Sequence, residues 1–289
     1  MELEFDTVDV FTTTRFGGNP LAIVHGADAL DGAAMQTIAR EFNLSETVFV
    51  VTADAASATA RIRIFLPQAE LPFAGHPNVG TAAILARRLG LKGDTLAMDQ
   101  AAGRVIAHLA RDGAGAVTGA TIEAPRAFEA GEAIPASVIA ACTGLPEGAI
   151  LGTPVIASCG APFVLAEVAD ATTLAAAAPD AAAFRAHLPS ATAVGIHLYT
   201  RLDAQRLRTR MFAPLGGVAE DPATGAANVA LGGLLLHRGG GESLDVAIEQ
   251  GIEMGRPSLL HVAARRAADG IRVSVGGGVV AVSRGWIQT

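Results

Sequence analysis

Two stretches of this 289-residue chain, about half a chain apart, share one pattern of residues. The first, RIRIFLPQAELPFAGHPNVGTAAILARRL, starts at Arg61, and the second, RMFAPLGGVAEDPATGAANVALGGLLLHR, starts at Arg210. Each contains Arg-x-Phe, a loop with proline, and then a helix rich in Gly and Ala. Arg63 lies 147 positions before Arg210, and Pro77 lies 145 positions before Pro222. A repeat of this length predicts two copies of one unit, each built around its own helix.

The helix in each copy has the composition of an element that other elements surround. In the first copy, Gly80, Ala82 and Ala83 are small enough to allow close backbone approach, and no charge occurs in the helix before Arg87. A helix that is apolar on every side is normally buried on every side.

Segments with strand patterns lie on both sides of each helix. Phe5, Val8 and Val10, for example, recur along a segment that also carries polar residues, as in a strand with one buried face. Strands and helices do not alternate regularly, as they do in a parallel α/β sheet. The pattern therefore predicts an α+β fold in which mostly antiparallel sheets roll around a central helix in each of two similar domains.

The length of the chain also predicts two domains. The first is expected over residues 1–125, with its central helix near 77–89. The second is expected over residues 126–289, with its central helix near 222–238, and the last strand is allowed to cross back to the first domain. The linker is placed at Pro125–Gly131.

Composition excludes several classes of function. The net charge is −7 and no basic cluster is longer than two residues, which argues against a nucleic-acid surface. No apolar stretch approaches the 18 residues or so of a membrane span, and the N-terminus alternates like a strand instead of a signal peptide. Only two cysteines, Cys142 and Cys159, are present, so we expect reduced thiols in the cytoplasm.

No cofactor and no metal are expected from the motifs. The chain lacks a Gly-x-Gly-x-x-Gly after a strand and lacks Gly-x4-Gly-Lys-Ser/Thr, so no nucleotide-binding loop is indicated. The histidines show no spacing typical of metal ligands.

The starts of the two central helices are the first candidates for a binding site. In a two-fold repeat, the two helix N-termini can face each other across the domain interface, where free N–H groups and partial positive charge favour a carboxylate. His76 in Gly75-His76-Pro77 and Asp221 in Glu220-Asp221-Pro222 hold what we interpret as equivalent places in the repeat. Alternatively, each is a helix cap with a structural role.

Glu46 is the third candidate, because it stands at the start of an apolar strand where a charge gains nothing from packing. It is either the last exposed residue of a loop or a carboxyl group inside a cleft. Burial would raise its pKa above ~4.3 and suit it to exchange protons near neutrality. Arg63 and Arg210 either neutralise an acidic substrate or pair with carboxylates of the chain.

These motifs, taken together, resemble those of the PhzF (phenazine biosynthesis) isomerase family. The resemblance covers nearly the whole chain. It rests on Asp9-Val10-Phe11 with Gly18-Asn19-Pro20, on Asn43-Leu44-Ser45-Glu46-Thr47, on Pro72-Phe73-Ala74-Gly75-His76-Pro77, on Glu220-Asp221-Pro222-Ala223-Thr224-Gly225, and on Gln250-Gly251 with Gly255-Arg256-Pro257.

The resemblance implies a diaminopimelate-epimerase-like fold, with a β-barrel around a central helix in each domain, and a homodimer. It implies a cofactor-independent isomerase in which Glu46 moves a proton between carbons of a small carboxylate-bearing substrate. His76 and Asp221 are then the groups that hold and polarise this substrate.

The resemblance also supplies a substrate-binding set. Loop amides near Gly75 and Gly225 would take the carboxylate of the substrate, with Ser45 and Ala226 beside them. Enzymes with the phenazine activity tend to carry Ser where this chain has Ala226, so one contact to a substrate hydroxyl is expected to be missing.

Two alternatives stay open. The first is an epimerase or racemase, but the related enzymes of that kind use two cysteines at the helix entrances, and neither Cys142 nor Cys159 falls there. We expect both to be buried apolar fillers. The second is a non-catalytic homologue that binds a metabolite.

Overall fold

The protein is described by a computed structural model that covers residues 1–189 and 191–289. The chain divides into two compact units. Unit 1 comprises Met1–Glu123 and Gly276–Thr289, and unit 2 comprises Ala124–Val275. Within the described residues, every helix is too short or too polar to cross a membrane.

Strands dominate both units. They are β1 (Glu2–Val10), β2 (Asn19–His25), β3 (Glu46–Asp54), β4 (Thr59–Phe65), β5 (Glu70–Leu71), β6 (Thr95–Gln100), β7 (Gly103–Arg111), β8 (Val117–Glu123), β9 (Glu129–Ala133), β10 (Ile150–Ser158), β11 (Pro162–Val168), β12 (Ile196–Arg201), β13 (Arg206–Ala213), β14 (Val218–Asp221), β15 (Ser243–Gln250), β16 (Ser258–Ala267) and β17 (Gly270–Gln288). The α-helices are α1 (Gly32–Phe42), α2 (Gly75–Arg88), α3 (Ala136–Thr143), α4 (Ala171–Ala176), α5 (Ala181–His187) and α6 (Gly225–Gly239).

Eight strands of unit 1 close into a barrel. Their order is β17-β1-β2-β3-β4-β6-β7-β8, and β8 pairs again with β17. The pairs β2–β3 and β4–β6 are parallel, whereas the pairs β1–β2, β3–β4 and β6–β7 are antiparallel. Closure leaves none of these eight strands with a free edge.

Helix α2 is the central helix of this barrel. It contacts β1, β2, β3, β6, β7 and β8, and its residues from Gly75 to Ala86 are all buried. A Cβ atom at Gly80 would lie 2.7 Å from side-chain atoms of Leu21 and Val10. The small residues of the helix therefore do what the sequence predicts, because they let strands approach its backbone.

Unit 2 repeats the same order of pairing. Strands β9-β10-β11-β12-β13-β15-β16 are neighbours, and the parallel pairs are again the two at corresponding places, β11–β12 and β13–β15. Hydrogen bonds from Ser274 to Ala263 and from Phe128 to Ile271 place the first part of β17 beside β16 and beside the segment that leads into β9.

Helix α6 has the place in unit 2 that α2 has in unit 1. It contacts β10, β11, β15 and β16. A Cβ atom at Gly232 would lie 2.5 Å from Val262, so this helix also approaches its strands through glycine. The predicted fold class, two similar units of mostly antiparallel strands around a central helix, is confirmed.

The remaining helices cover outer faces of the sheets. In unit 1, the Asp31 side chain caps α1 by accepting the Ala34 N–H, and Met35, Ile38 and Ala39 form its buried face. These three side chains belong to an apolar cluster with strand residues, as their helical spacing predicts. In unit 2, α3, α4 and α5 build the corresponding cluster.

The segment predicted as a linker, Pro125–Gly131, is partly a strand. Strand β9 begins at Glu129 and pairs with β10, although all five of its residues are exposed. Its residues EAGEA lack the β-branched and aromatic side chains that identify a strand, so the sequence carried no signal for it.

The repeat preserves one ion pair in both units. Arg63 donates to Glu70 through two nitrogens, each at 2.7 Å, and Arg210 donates to Glu220 through two nitrogens, each at 2.8 Å. Each arginine also lies over the phenylalanine two residues later, at 5.1 and 4.9 Å from the ring centroid. Both strand arginines therefore pair with carboxylates of the chain, which was the second of the two sequence alternatives.

Candidate active site

Glu46 is the first residue of β3 in unit 1, directly after Ser45. It pairs in parallel register with Leu21 of β2, and its side chain is 15% exposed. The end of a strand next to a loop lets a carboxyl group lie largely inside the protein and still reach solvent or a ligand. Glu46 is therefore not a fully exposed loop residue.

His76 lies beside this carboxyl group. It is the second residue of α2, it is buried, and its Nε2 lies 3.4 Å from Glu46 Oε2. The imidazole also forms a hydrogen bond with the backbone of Pro20, which has only a carbonyl to offer. Helix α2 and strands β2 and β3 together bring the two predicted residues into contact.

The hydrogen bonds assign the proton of this imidazole. His76 Nε2 is buried and has no hydrogen-bond partner among the described residues, so the nitrogen that donates to Pro20 is Nδ1. Burial lowers the pKa of His76 to about 3, which keeps the ring neutral. A neutral ring with its proton on Nδ1 presents a lone pair on Nε2 toward Glu46.

The start of α2 lies in unit 1 without a side-chain cap. Gly75 is its first residue, and Ala74 at the N-cap has no side chain that could cap the helix. The first N–H groups of a helix have no partner within it and attract anions. Ser45 is half-buried, one residue before Glu46.

Unit 2 contains the third predicted residue. Asp221 is the last residue of β14, it pairs with Met211, and it is 7% exposed. The Thr224 hydroxyl donates to Asp221 Oδ2 at 2.5 Å. Helix α6 then begins at Gly225, and the side chain of its N-cap residue, Thr224, does not cap it.

His76 and Asp221 do not hold equivalent places in the repeat, so that interpretation is wrong. The two helices begin at Gly75 and Gly225, 150 positions apart, which pairs His76 with Ala226 and Asp221 with Leu71. Pro77 lies inside the first turn of α2, whereas Pro222 precedes α6 by three residues. Nor is Asp221 the N-cap of α6, because Thr224 holds that position.

The substrate-binding residues that the resemblance implies are also distributed over the two units. Gly75 and Gly225 are the buried first residues of the two central helices. Ala226 is the half-buried second residue of α6 and presents a methyl group where a serine would present a hydroxyl.

The two cysteines are buried and free of disulfides, as predicted. Burial raises the pKa of Cys142 to about 11 and that of Cys159 to about 12, and the Cys159 thiol donates to the Val229 carbonyl at 3.6 Å. Thiols in this state are poor nucleophiles and poor bases.

The structure adds a buried polar network that we did not predict. Gln250, Asn228 and His197 are all fully buried and joined by hydrogen bonds around the Asp221–Thr224 turn. One signal was present in the sequence. The pairs Asn78/Gln100 and Asn228/Gln250 recur in the two copies, each with a separation of 22 residues.

The buried histidine predicts loss of stability in acid. Burial lowers the pKa of His197 from 6.5 to about 4, so between these values the unfolded chain binds a proton that the folded chain does not. The free energy of unfolding therefore falls as the pH drops from 6.5 toward 4, by roughly 3 kcal/mol from this residue. We expect His197→Val to flatten the slope in urea titrations at pH 7, 6, 5 and 4.5. An unchanged slope would contradict the assignment.

Comparison with known proteins agrees with the fold. The family model described as phenazine biosynthesis-like protein matches residues 8–285. The trans-2,3-dihydro-3-hydroxyanthranilate isomerase of Pseudomonas chlororaphis is 35% identical over 294 residues, which cover 97% of each chain. An uncharacterised isomerase of Mesorhizobium japonicum is 37% identical over 266 residues, which cover 88% of each chain.

A solved structure shares the whole fold. The crystal structure of a PhzF-family phenazine biosynthesis protein from Bacillus anthracis superposes with a TM-score of 0.87, at 23% identity and with all of both chains covered. The match to the family model spans most of the sequence, and the relatives that match over nearly their full length are named isomerases. The chain is therefore a member of the PhzF family of isomerases.

Proposed function

We propose that this isomerase moves a proton between two carbons of a small cyclic carboxylic acid, without a cofactor, and that Glu46 is the general acid and base. The observation that carries the proposal is the contact of Glu46 with His76. A largely buried carboxyl group lies 3.4 Å from a nitrogen of a neutral imidazole, and this nitrogen is buried and has no hydrogen-bond partner in the described part of the chain.

The reaction needs one group that both accepts and returns a proton. The Glu46 carboxylate removes a proton from one ring carbon, and the electron pair of that C–H bond shifts through the conjugated double bonds. The Glu46 carboxyl group then delivers a proton to another carbon, where a new C–H bond forms. Nothing is oxidised or reduced, so no redox partner is required.

His76 supports the protonated state of Glu46 in this scheme. Its Nε2 lone pair can accept a hydrogen bond from the carboxyl O–H, while its Nδ1–H stays on the Pro20 carbonyl. The ring is held by that second bond, so the face it offers to Glu46 does not change during the reaction.

Within each unit, the start of the central helix is proposed as a carboxylate-binding group. Uncapped helix N-termini at Gly75 and Gly225 favour a carboxylate and the negative charge that develops on it as the proton leaves. Asp221 is proposed to bind a polar group of the substrate and to orient the ring. The buried cysteines, whose pKa values are raised, speak against a two-thiol racemase mechanism.

The first substrate to test is trans-2,3-dihydro-3-hydroxyanthranilate, since a relative 35% identical is named for its isomerisation. The compound is incubated with the protein, and migration of the ring C–H is followed by NMR. A shifted double-bond pattern without any added cofactor supports the proposal. Exchange at a single carbon with no bond shift would indicate epimerisation instead.

Position 226 offers a test of the substrate hydroxyl. We expect Ala226→Ser to raise kcat/KM for the hydroxylated acid about 3- to 10-fold, because one added hydrogen bond contributes about 0.5–1.5 kcal/mol. The same variant should give no gain with an analogue that lacks the hydroxyl. An equal gain with both compounds would show that the serine acts in another way.

A further inference from the structure

Gln250 is the centre of the polar network in unit 2. It is the last residue of β15 and is fully buried. Its Nε2 donates to the Asp221 carbonyl at 2.8 Å and to Thr224 Oγ1 at 3.1 Å, and its Oε1 accepts the Thr224 N–H at 3.1 Å. One side chain thus holds both ends of the turn that carries Asp221 and leads into α6.

Gln250 is also linked to the Asp221 carboxylate through the side chain of Thr224. Thr224 Oγ1 accepts from Gln250 and donates to Asp221 Oδ2 at 2.5 Å. A hydroxyl that accepts one hydrogen bond is a stronger donor in the next. Gln250 therefore fixes the backbone of the turn and also the orientation of the Asp221 side chain.

Two further residues hold the Gln250 amide in this orientation. Asn228 Nδ2 donates to Gln250 Oε1 at 2.7 Å, so the Gln250 oxygen must face the helix. His197 Nε2 lies 3.1 Å from Asn228 Oδ1. Burial lowers the pKa of His197 to about 4, so the ring is neutral, and its Nε2–H donates to the asparagine oxygen.

Unit 1 contains the same amide pair in a different arrangement. Asn78 Nδ2 donates to Gln100 Oε1 at 3.2 Å, and Gln100 Nε2 donates back to Asn78 Oδ1 at 2.9 Å. The Gln100 amide is therefore engaged with the asparagine itself.

The difference between the two pairs has a cause in the sequence. The partner of Arg63 on β3 is Phe49 and the partner of Arg210 on β12 is Leu198, so the position of His197 corresponds to Val48 in unit 1. Valine cannot donate to an asparagine oxygen, and Gln100 does so instead. In unit 2 the histidine satisfies that oxygen and leaves the Gln250 NH₂ group to bind the Asp221–Thr224 turn.

We infer that Gln250 is a positioning residue for the isomerase reaction, oriented by His197 through Asn228, and that it holds Asp221 in the geometry that catalysis requires. The inference rests on the proposed function. It also gives a role to Gln250-Gly251, a family motif that the catalytic residues do not use. A Cβ atom at Gly251 would lie 2.6 Å from the Pro222 carbonyl, so the residue after Gln250 is packed against the same turn.

The test uses Gln250→Met, with Gln100→Met as its matched control in the other unit. Gln250→Met should lower kcat about 10- to 100-fold with a smaller change in KM, because loss of a positioning group displaces the residue it holds. Gln100→Met should leave kcat within about 3-fold of the wild type, since the two hydrogen bonds of the Gln100 amide go to Asn78 and not to the Asp221–Thr224 turn. In an Asp221→Ala background, Gln250→Met should cause no further loss of kcat.

A second variant leaves Gln250 in place. His197→Val recreates the unit 1 environment, so the Gln250 amide should turn to Asn228 and kcat should fall in the same direction. This variant keeps the inference testable if Gln250→Met does not fold.

A measurement that does not need activity separates this inference from the proposed function. The Thr224 amide, which donates to Gln250 Oε1, should exchange with D₂O at least about 10-fold faster in Gln250→Met, as expected for a lost hydrogen bond, and at the wild-type rate in Gln100→Met. Unchanged Thr224 exchange, or an undiminished kcat when that exchange is fast, overturns the role of Gln250. A wild-type protein without isomerase activity overturns the proposed function, whatever the exchange rates are.

Discussion

Replacing Glu46 with glutamine is expected to lower kcat about 10²- to 10⁴-fold, the usual contribution of a positioned general acid or base. Glutamine has the shape of glutamate and cannot accept and release a proton at neutral pH. Its side-chain NH₂ can still donate to His76 Nε2, so the contact at 3.4 Å and the fold are retained. The measurement is steady-state isomerisation of the ring acid, with the KM determined in the same experiment.

A matched control separates proton transfer from the loss of a charge. Glu41 is an exposed glutamate on α1, five residues away in sequence, and Glu41→Gln removes the same charge from unit 1. This control should retain wild-type kcat and KM. If Glu46→Gln turns over at the rate of the control, Glu46 is not the general acid and base.

Replacing Arg210 with methionine is expected to destabilise the protein by about 3–5 kcal/mol, whereas Arg63→Met should cost about 1 kcal/mol or less. The two arginines hold corresponding places and pair with corresponding glutamates, Glu220 and Glu70. Their burial differs, since the Arg210 side chain is 7% exposed and that of Arg63 is 33% exposed.

Burial determines the difference in stability loss because the groups that lose their partner are buried in one variant and hydrated in the other. Arg210 also donates to the carbonyls of Leu174, Ala175 and Ala177, where α4 ends, at 3.1, 3.1 and 2.7 Å. Its loss would remove the bidentate partner of the largely buried Glu220 carboxylate and one hydrogen bond from each of these carbonyls, of which only that of Leu174 keeps another bond among the described residues, from the Ala177 N–H. Glu70, by contrast, is exposed and can be hydrated. Urea unfolding of both variants at pH 7 measures the difference, and equal losses of stability would contradict this explanation.

The duplication could be predicted from the sequence because it depends on local composition. Gly80, Ala82 and Ala83 identify a helix that strands surround, and the spacing of Met35 and Ile38 identifies a helix with one buried face. These signals are properties of single segments, and the fold class follows from them. Strand β9 escaped prediction because its pairing comes from β10 and not from its own side chains.

The residue-by-residue alignment of the two copies could not be predicted from the sequence. In the second copy the glutamate follows the arginine after ten positions, and in the first after seven. A short 3-10 helix, Pro214–Gly216, lies in this longer connection. Aligning Pro77 with Pro222 ignores these three additional positions and wrongly pairs His76 with Asp221. Helix starts give the correct register, but the sequence does not show that Pro77 lies within a helix and Pro222 before one.

Contacts between distant residues account for the rest of what was missed. His197 and Gln250 belong to strands far apart in sequence, and Asn228 joins them from a helix. Each residue alone is an ordinary polar residue of a strand or helix. Glu46, by comparison, was a candidate from the sequence because it stands at the start of an apolar strand, where a charge gains nothing from packing, whereas its contact with His76 comes from the fold.

The most direct test of the central claim follows hydrogen at carbon. The wild-type protein and Glu46→Gln are incubated in D₂O with trans-2,3-dihydro-3-hydroxyanthranilate, and the ring positions are observed by ¹H and ²H NMR. The wild type should form the shifted isomer and, wherever the Glu46 proton exchanges with solvent, place deuterium at the newly protonated carbon. Glu46→Gln should return the unlabelled starting acid. Isomer or carbon-bound deuterium appearing with Glu46→Gln at the wild-type rate would contradict the account.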